Sequence, residues 1–491
     1  MRYRIEAPDE GQSRIIECGS GGIRRVVSRV FIKKNIKVLK TFMFISNGEI
    51  MPQATYHFPK GFLWGTATAS HQVEGNNTNN NWWKWEQDGH TNGTSGLAAD
   101  WWGGRWREDF DRAAETGQNA HRLSVEWSRI QPTPDTWDEE AIEKYRNMLR
   151  GLRERGMTAM VTLHHFTDPL WVTEKGGWEN DEITALFEKY TRKVVDALKE
   201  YVTLWCTINE PNVYALVGYK TKSFPPGKND FKLAMRVLGN MLRGHAAAYR
   251  TIHELQPEAR VGYALHYRPM VPRLAWSPLD RLMRNVRYSA INMGFPSAIS
   301  TGVMRSPLGN QNIPEAKGTQ DYLGLNYYSV DTVWFDITKP GELFTNSGYA
   351  EDSDLSLNHF IANIPEGLFN SIKWAVRTYP NLPILISENG VEDNEDKFRP
   401  RYLAQHIHQL WRAVNFNWPV KGYFHWSLVD NFEWERGWTQ RFGLWGLDLG
   451  TQKRIRRPSV DLYAEICQEN GLSSEMVQKY CPEVFDKIFP S

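Results

Sequence analysis

The sequence predicts an α/β fold, a single (β/α)8 TIM barrel with long loops after its strands. Three observations carry this expectation. Eight short apolar runs are dispersed through the chain from residue 60 onward, amphipathic helical patterns fill the intervals, and no Pro-, Gly- or Ser-rich linker divides them. Continuous apolar runs, rather than alternating ones, fit parallel strands buried on both faces. Strand–helix alternation implies a parallel sheet, and eight repeats favour a closed barrel over an open doubly wound sheet. The 441 residues from 51 to 491 exceed a minimal barrel of about 250, so the loops must be long.

The runs are 62–67, 121–127, 158–163, 203–208, 260–265, 322–327, 384–387 and 422–426, each bounded by polar or turn residues. Between the second and third, residues 138–155 place Ala141, Ile142, Tyr145, Leu149 and Leu152 on one stripe, and Gly156 follows as a stop. Residues 181–200 repeat the pattern with Ile183, Leu186, Phe187, Tyr190, Val194 and Leu198. Pro365 suits a first helical turn ahead of Leu368, Ile372 and Val376, and 401–414 carries Leu403, Ile407, Leu410 and Trp411.

Composition narrows the function. Lys and Arg number 58 against 57 acids, a net charge of +1, which offers no electrostatic basis for a nucleic-acid or membrane partner. There is no 18-residue uncharged apolar run to cross a membrane. Cys18, Cys206, Cys467 and Cys481 form no C-x-x-C pair and are too few for a disulfide scaffold, which favours a reducing, cytoplasmic setting. The chain holds 21 tryptophans, rings suited either to a packed core or to stacking on half-apolar ligands.

Residues 1–50 differ from the rest. They contain ten Lys or Arg and five acids, net +5, leaving −4 for the remaining 441. Arg29, Lys33, Lys34, Lys37 and Lys40 interrupt the apolar stretch 26–46, so it lacks the unbroken core of a secretory signal. The expectation is a basic extension, disordered or reflecting a start placed too early, ahead of a barrel domain spanning 51–491.

In a barrel, the C-terminal ends of the strands converge on one mouth. Those ends carry His71, Gln72 and Glu74; Arg122 and Glu126; His164 and His165; Asn209 and Glu210; His266; Asn326, Tyr327 and Tyr328; Glu388; and Trp426 with Glu433 and Trp434. Glu210 and Glu388, from the fourth and seventh runs, would face each other across the ring. Two facing carboxyls suit glycosidic cleavage, one protonating the leaving oxygen and one acting at the anomeric carbon. Asn209 can donate to a sugar hydroxyl, and Trp426 and Trp434 can stack on the ring. A metal reading is weak, because H-E-x-x-H is absent and His164 and His165 would point to opposite sides of an extended strand.

Five ordered segments resemble glycoside hydrolase family 1, the β-glucosidase/β-galactosidase family. They are Phe58-Pro59-Lys60-Gly61-Phe62 with Ser70-His71-Gln72-Val73-Glu74-Gly75; Arg122-Leu123-Ser124-Val125-Glu126-Trp127; Thr207-Ile208-Asn209-Glu210-Pro211; Ile386-Ser387-Glu388-Asn389-Gly390; and Trp426-Ser427-Leu428 with Asn431-Phe432-Glu433-Trp434. The resemblance implies a retaining β-glycosidase acting on a terminal β-linked glucose, galactose or fucose that is not phosphorylated. Glu388 would be the nucleophile and Glu210 the acid/base, their carboxyls ~5–5.5 Å apart. Arg122 and Tyr328 would support Glu388. Gln72, His165, Asn209, Asn326, Trp426, Glu433 and Trp434 would hold the sugar. A small-molecule glycoside is the expected partner, with no metal and no cofactor.

Three positions depart from the family pattern: Phe166 stands for a tryptophan, His71 for a tyrosine, and 268–320 lacks the usual Asn-x-x-Phe-x-Asp-Pro run. These put aglycone preference in question without removing a catalytic group. Two rival readings share the fold: a mainly transglycosylating enzyme, and a barrel that binds sugar without turnover.

Overall fold

A computed structural model describes residues 42–46 and 49–490. The expectation for the N-terminal extension therefore falls largely outside the described residues. Phe42–Ser46 and Glu49–Gln53 pair as an antiparallel hairpin that crosses the expected boundary at Met51.

Eight parallel strands close the barrel: β1 (Leu63–Ala67), β2 (Ala120–Ser124), β3 (Thr158–His164), β4 (Leu204–Asn209), β5 (Arg260–His266), β6 (Tyr322–Asn326), β7 (Ile384–Asn389) and β8 (Val420–Trp426). Each pairs with the next in sequence, and β8 pairs with β1. The helices α1 (Trp106–Glu115), α2 (Glu139–Glu154), α3 (Ile183–Leu198), α4 (Phe231–Leu255), α5 (Gly294–Thr301), α6 (Pro365–Thr378), α7 (Arg399–Asn415) and α8 (Pro458–Glu469) follow the strands in turn. The expected helix bounds hold to within two residues. Asp138 caps α2 by accepting from the Ala141 amide, and Gly156 takes φ +69° just beyond it.

The second run differs from expectation. β2 stops at Ser124, and Trp127 opens a short helix, Trp127–Ile130. Glu126 is spent as a buried anchor, accepting from the hydroxyls of Ser70, Ser128 and Thr167. It holds loops together and does not face a ligand.

Strand residues alternate as the pleat requires. Ala67, Ala120, Met160, Cys206, Ala264, Leu385 and Phe424 fill the lumen. Trp64, Leu123, Val161, Trp205, Val261, Leu323, Ile386 and Tyr423 pack outward against the helices. Burial on both faces explains why the runs are apolar without alternation. The register slips between Cys206 and Asn209 on β4 and between Ile386 and Asn389 on β7. Irregularities of this kind re-aim side chains at a strand end, and they occur where the two candidate carboxylates emerge.

The divergent stretch 268–320 builds a helix, Pro278–Asn292. A small sheet of Met270–Pro272, Asp331–Phe335 and Thr345–Gly348 packs beside it. Among the described residues, no helix is long and apolar enough to cross a membrane, and Cys206, Cys467 and Cys481 are free and buried.

A buried ion pair fastens the segment before α8 to α1. Arg454 meets Asp109 at 2.7 Å, both side chains 1% exposed, and Trp101 Nε1 donates to the same carboxylate. Arg454→Ala would leave that carboxylate with only the part-exposed Arg112, at 2.8 Å, as counter-charge, so the variant is expected to lose about 1.5–3 kcal/mol in denaturant unfolding. A loss below about 1 kcal/mol would contradict this account.

Candidate active site

The C-terminal mouth of the barrel opens into a cleft of ≈ 300 Å³, at the lower end of ordinary small-molecule sites (roughly 300–1,000 Å³). Its wall includes His165, Asn209, Glu210, Tyr328, Glu388, Trp426, Glu433 and Trp434. Gln72, Arg122 and Asn326 stand directly behind that wall and bond to residues in it. All eleven residues singled out in the sequence therefore belong to one constellation.

Glu388 is gripped from two sides. Arg122 Nη1 meets Oε1 at 2.5 Å, and the Tyr328 hydroxyl donates to Oε2 at 2.7 Å. The guanidinium continues across the floor, donating to Asn209 Oδ1 (2.6 Å), Thr162 Oγ1 (3.1 Å) and the Ser387 carbonyl (3.2 Å). Arg122 is fully buried, and this set of acceptors satisfies its charge.

Glu210 follows β4 in the left-handed region, φ 43° and ψ 57°. Pro211 disfavours right-handed α at the residue before it, and the left-handed turn swings the carboxyl over the mouth. Oε1 accepts from Asn326 Nδ2 at 2.8 Å and from His266 Nδ1 at 3.0 Å. Asn326 is itself held by Ser387, the residue before Glu388. The two carboxyls are thus tied through one short polar network.

Their electrostatics are shared. Burial pushes the Glu388 carboxyl up, Arg122 pulls it down and the charge of Glu210 pushes it up again, leaving it at about 7. Arg122 acts in the expected direction but is outweighed. At Glu210 burial also pushes up, yet His266 and Asn326 prevail and hold the carboxyl below its ordinary value. Such a pair titrates as a unit. Placing a proton on Glu210 removes the charge that raises Glu388, and Arg122 then favours the Glu388 carboxylate.

The remaining positions suit a polyhydroxylated ligand. Gln72 Nε2 donates to the Phe432 carbonyl (2.8 Å), and Asn209 Nδ2 bonds His165 Nε2 (3.1 Å). Among the described residues, Gln72 Oε1 and His165 Nδ1 are buried without a hydrogen-bond partner. Buried polar atoms of this kind call for a partner, and sugar hydroxyls supply donors and acceptors. Glu433 sits well above the usual carboxylate range because of burial and the neighbouring Glu435, Glu388 and Glu210. His164 turns away to Asp168 and Trp178, as the alternation required, and among the described residues no cluster suits a metal.

Most tryptophans belong to the core. Trp64, Trp82, Trp101, Trp127, Trp178 and Trp205 are fully buried. Trp82 packs 4.6 Å from Trp434 and supports it from behind. Phe166 fills the place beside Trp434 at 5.1 Å, and His71 bonds Glu86 at 2.7 Å. Phe224, Phe360, Phe442, Arg268 and Arg436 also line the cleft. They come from loops with no motif, so the sequence did not mark them. His266 was marked only by its place at the end of a strand.

Comparison with known proteins agrees with the geometry. Residues 54–472 match the family model of Glycosyl hydrolase family 1. Beta-glucosidase A of Thermotoga maritima is 32% identical, the match covering 84% of this chain and 98% of that protein. A Pyrococcus woesei beta-galactosidase is 29% identical over 86% and 99%. The solved beta-glycosidase from Pyrococcus horikoshii superposes with a TM-score of 0.82 at 35% identity, covering 87% and 98%. The Thermotoga maritima beta-glucosidase in complex with glucoimidazole gives 0.79 at 30%, covering 85% and 100%. The barrel, its polar mouth and these matches together make this chain a glycoside hydrolase, a β-glycosidase belonging to glycosyl hydrolase family 1.

Proposed function

We propose that this enzyme is a retaining β-glycosidase that removes a terminal, unphosphorylated β-linked sugar through a covalent glycosyl-enzyme intermediate. The observation that carries the reading is Glu388 held between Arg122 and Tyr328, with Glu210 in the same small cleft. In the first half-reaction Glu388 attacks the anomeric carbon while Glu210 protonates the departing oxygen. In the second, Glu210 takes a proton from water as that water displaces Glu388. The reactive state, Glu210 protonated and Glu388 ionised, needs only one proton shared between the two carboxyls.

Gln72, His165, Asn209, Glu433, Trp426 and Trp434 hold the sugar, and Asn326 orients Glu210. The relatives named beta-glucosidase and beta-galactosidase support glucosides and galactosides as substrates. Sparse cysteines, free and buried at Cys206, Cys467 and Cys481 among the described residues, fit the cytoplasm. The two guanidiniums on the cleft wall, Arg268 and Arg436, are already paired with Asp331 and Glu435, which leaves a phosphate dianion without a free counter-charge there.

A panel of nitrophenyl β-glycosides tests this. Glucoside, galactoside or fucoside is expected to be cleaved at least tenfold faster, in kcat/KM, than 6-phosphoglucoside. Preference for the phosphorylated sugar would reverse the substrate assignment. Sugar binding with no release from any member would leave only a binding barrel.

A further inference from the structure

His266, the last residue of β5, has no part in the scheme so far, yet it touches the reacting carboxyl. Its Nδ1 lies 3.0 Å from Glu210 Oε1, the oxygen that also accepts from Asn326. With Nδ1 carrying its proton, Oε1 accepts from both His266 and Asn326, and the transferable proton belongs on Oε2. The imidazole is held in place: it stacks on Tyr328 at 5.7 Å and 25°, and Asn212 Nδ2 fixes its backbone carbonyl at 2.8 Å. The side chain keeps 15% exposure, so it can exchange protons with solvent in the cleft.

We propose that His266 and Glu210 act as one acid/base dyad sharing a single exchangeable proton, with His266 pinning Oε1 so that Oε2 delivers it. This rests on the acid/base role given to Glu210 above. The charged and titratable groups facing the dyad are Glu388 and Arg122 across the floor, Tyr328 against the ring, and Arg268 and Glu433 on the cleft wall. Arg268 is itself paired to Asp331 at 2.6 Å. The opposed charges of Glu388 and Arg122, and of Asp331 and Arg268, leave the carboxylate–imidazole contact as the dominant local interaction.

The step balances within the dyad. Oε2 gives its proton to the glycosidic oxygen as the C–O bond breaks and a Glu388 oxygen bonds to the anomeric carbon. Glu210 is then a carboxylate beside neutral His266. In the second half, water gives a proton back to Oε2, its oxygen bonds to the anomeric carbon, and the ester to Glu388 opens. A dyad with two sites for one proton surrenders it at higher pH than a lone carboxyl would, because the affinities of the two sites add. His266 therefore moves the midpoint of the basic limb toward alkaline pH.

The test is the pH profile of kcat/KM for a phenyl β-glycoside, a poor leaving group, in the full chain and in H266N and H266Q. Both replacements can still donate to Oε1 but cannot hold the proton. Their basic limb is expected about one pH unit lower, read as the shift of its midpoint with each profile scaled to its own plateau. A limb that stays in place in variants melting like the wild type overturns the dyad. Should neither variant fold, 15N-histidine spectra of the wild type decide. The imidazole signal most displaced by E210Q must titrate within the basic limb, and a signal constant through it overturns the proposal. Absence of glycoside turnover in the wild type defeats the acid role and the dyad together. Turnover with an immobile limb defeats the dyad alone.

Discussion

Replacing Glu388 with Ala or Gln is expected to lower kcat for aryl β-glycosides by at least about 10⁴-fold, a loss of transition-state stabilisation of roughly 5.4 kcal/mol. Neither side chain can form the ester, and no other carboxyl occupies that place. In the Ala variant azide can enter the vacated volume and attack directly, so activity should return with inverted product stereochemistry. The fold should survive, because Arg122 retains Asn209, Thr162 and the Ser387 carbonyl as acceptors. The Gln variant should in fact be the more stable protein at alkaline pH. Burial raises the Glu388 carboxyl to about 7, so the folded state disfavours its ionisation relative to the unfolded chain. That group's stabilising contribution is complete below its unfolded value and declines as pH rises through 7. At pH 8 the melting temperature of E388Q should equal or exceed that of the wild type. Near-normal turnover in either variant would show that the nucleophile lies elsewhere.

Glu210→Ala is expected to separate substrates by their leaving groups. Removing a general acid costs about 10²–10⁴-fold where the departing oxygen needs a proton, as with alkyl or phenyl glycosides. A dinitrophenolate departs without help, so the first step on that substrate should be nearly unaffected and the glycosyl-enzyme should accumulate. A burst of dinitrophenol followed by slow turnover is the expected record. Equal losses for both classes of substrate would remove Glu210 from the acid role.

The barrel was legible because each strand is buried on both faces, which leaves an unbroken apolar run ending in a polar residue. Glu210 and Glu388 were legible for the same reason: chemistry in this fold gathers where the runs stop. What escaped notice depends on contacts distant in sequence. β2 ends early because Glu126 is claimed by hydroxyls from two other loops, Ser70 and Thr167. The slips in register on β4 and β7 leave no mark in the composition of those strands. Phe224, Phe360 and Phe442 reach the cleft from loops whose course is set by packing. The charge state of the cleft is equally invisible in the sequence, since Glu388 is raised by its burial and further by the charge of Glu210, a residue distant in the chain.

Arg122 has a consequence for how such an enzyme can diversify. Its guanidinium joins β2 to Thr162 of β3, Asn209 of β4 and Ser387 and Glu388 of β7. The floor is thereby cross-braced independently of the loops that rise from it. Beyond Tyr328, which still grips Glu388, the segments after β5 and β6 can be lengthened, rebuilt or exchanged while this brace keeps the reacting groups aligned. The stretch 268–320, which lacks the Asn-x-x-Phe-x-Asp-Pro run, is one such segment. Grafting that stretch between relatives is a route to new leaving-group preferences on an unchanged catalytic base plate.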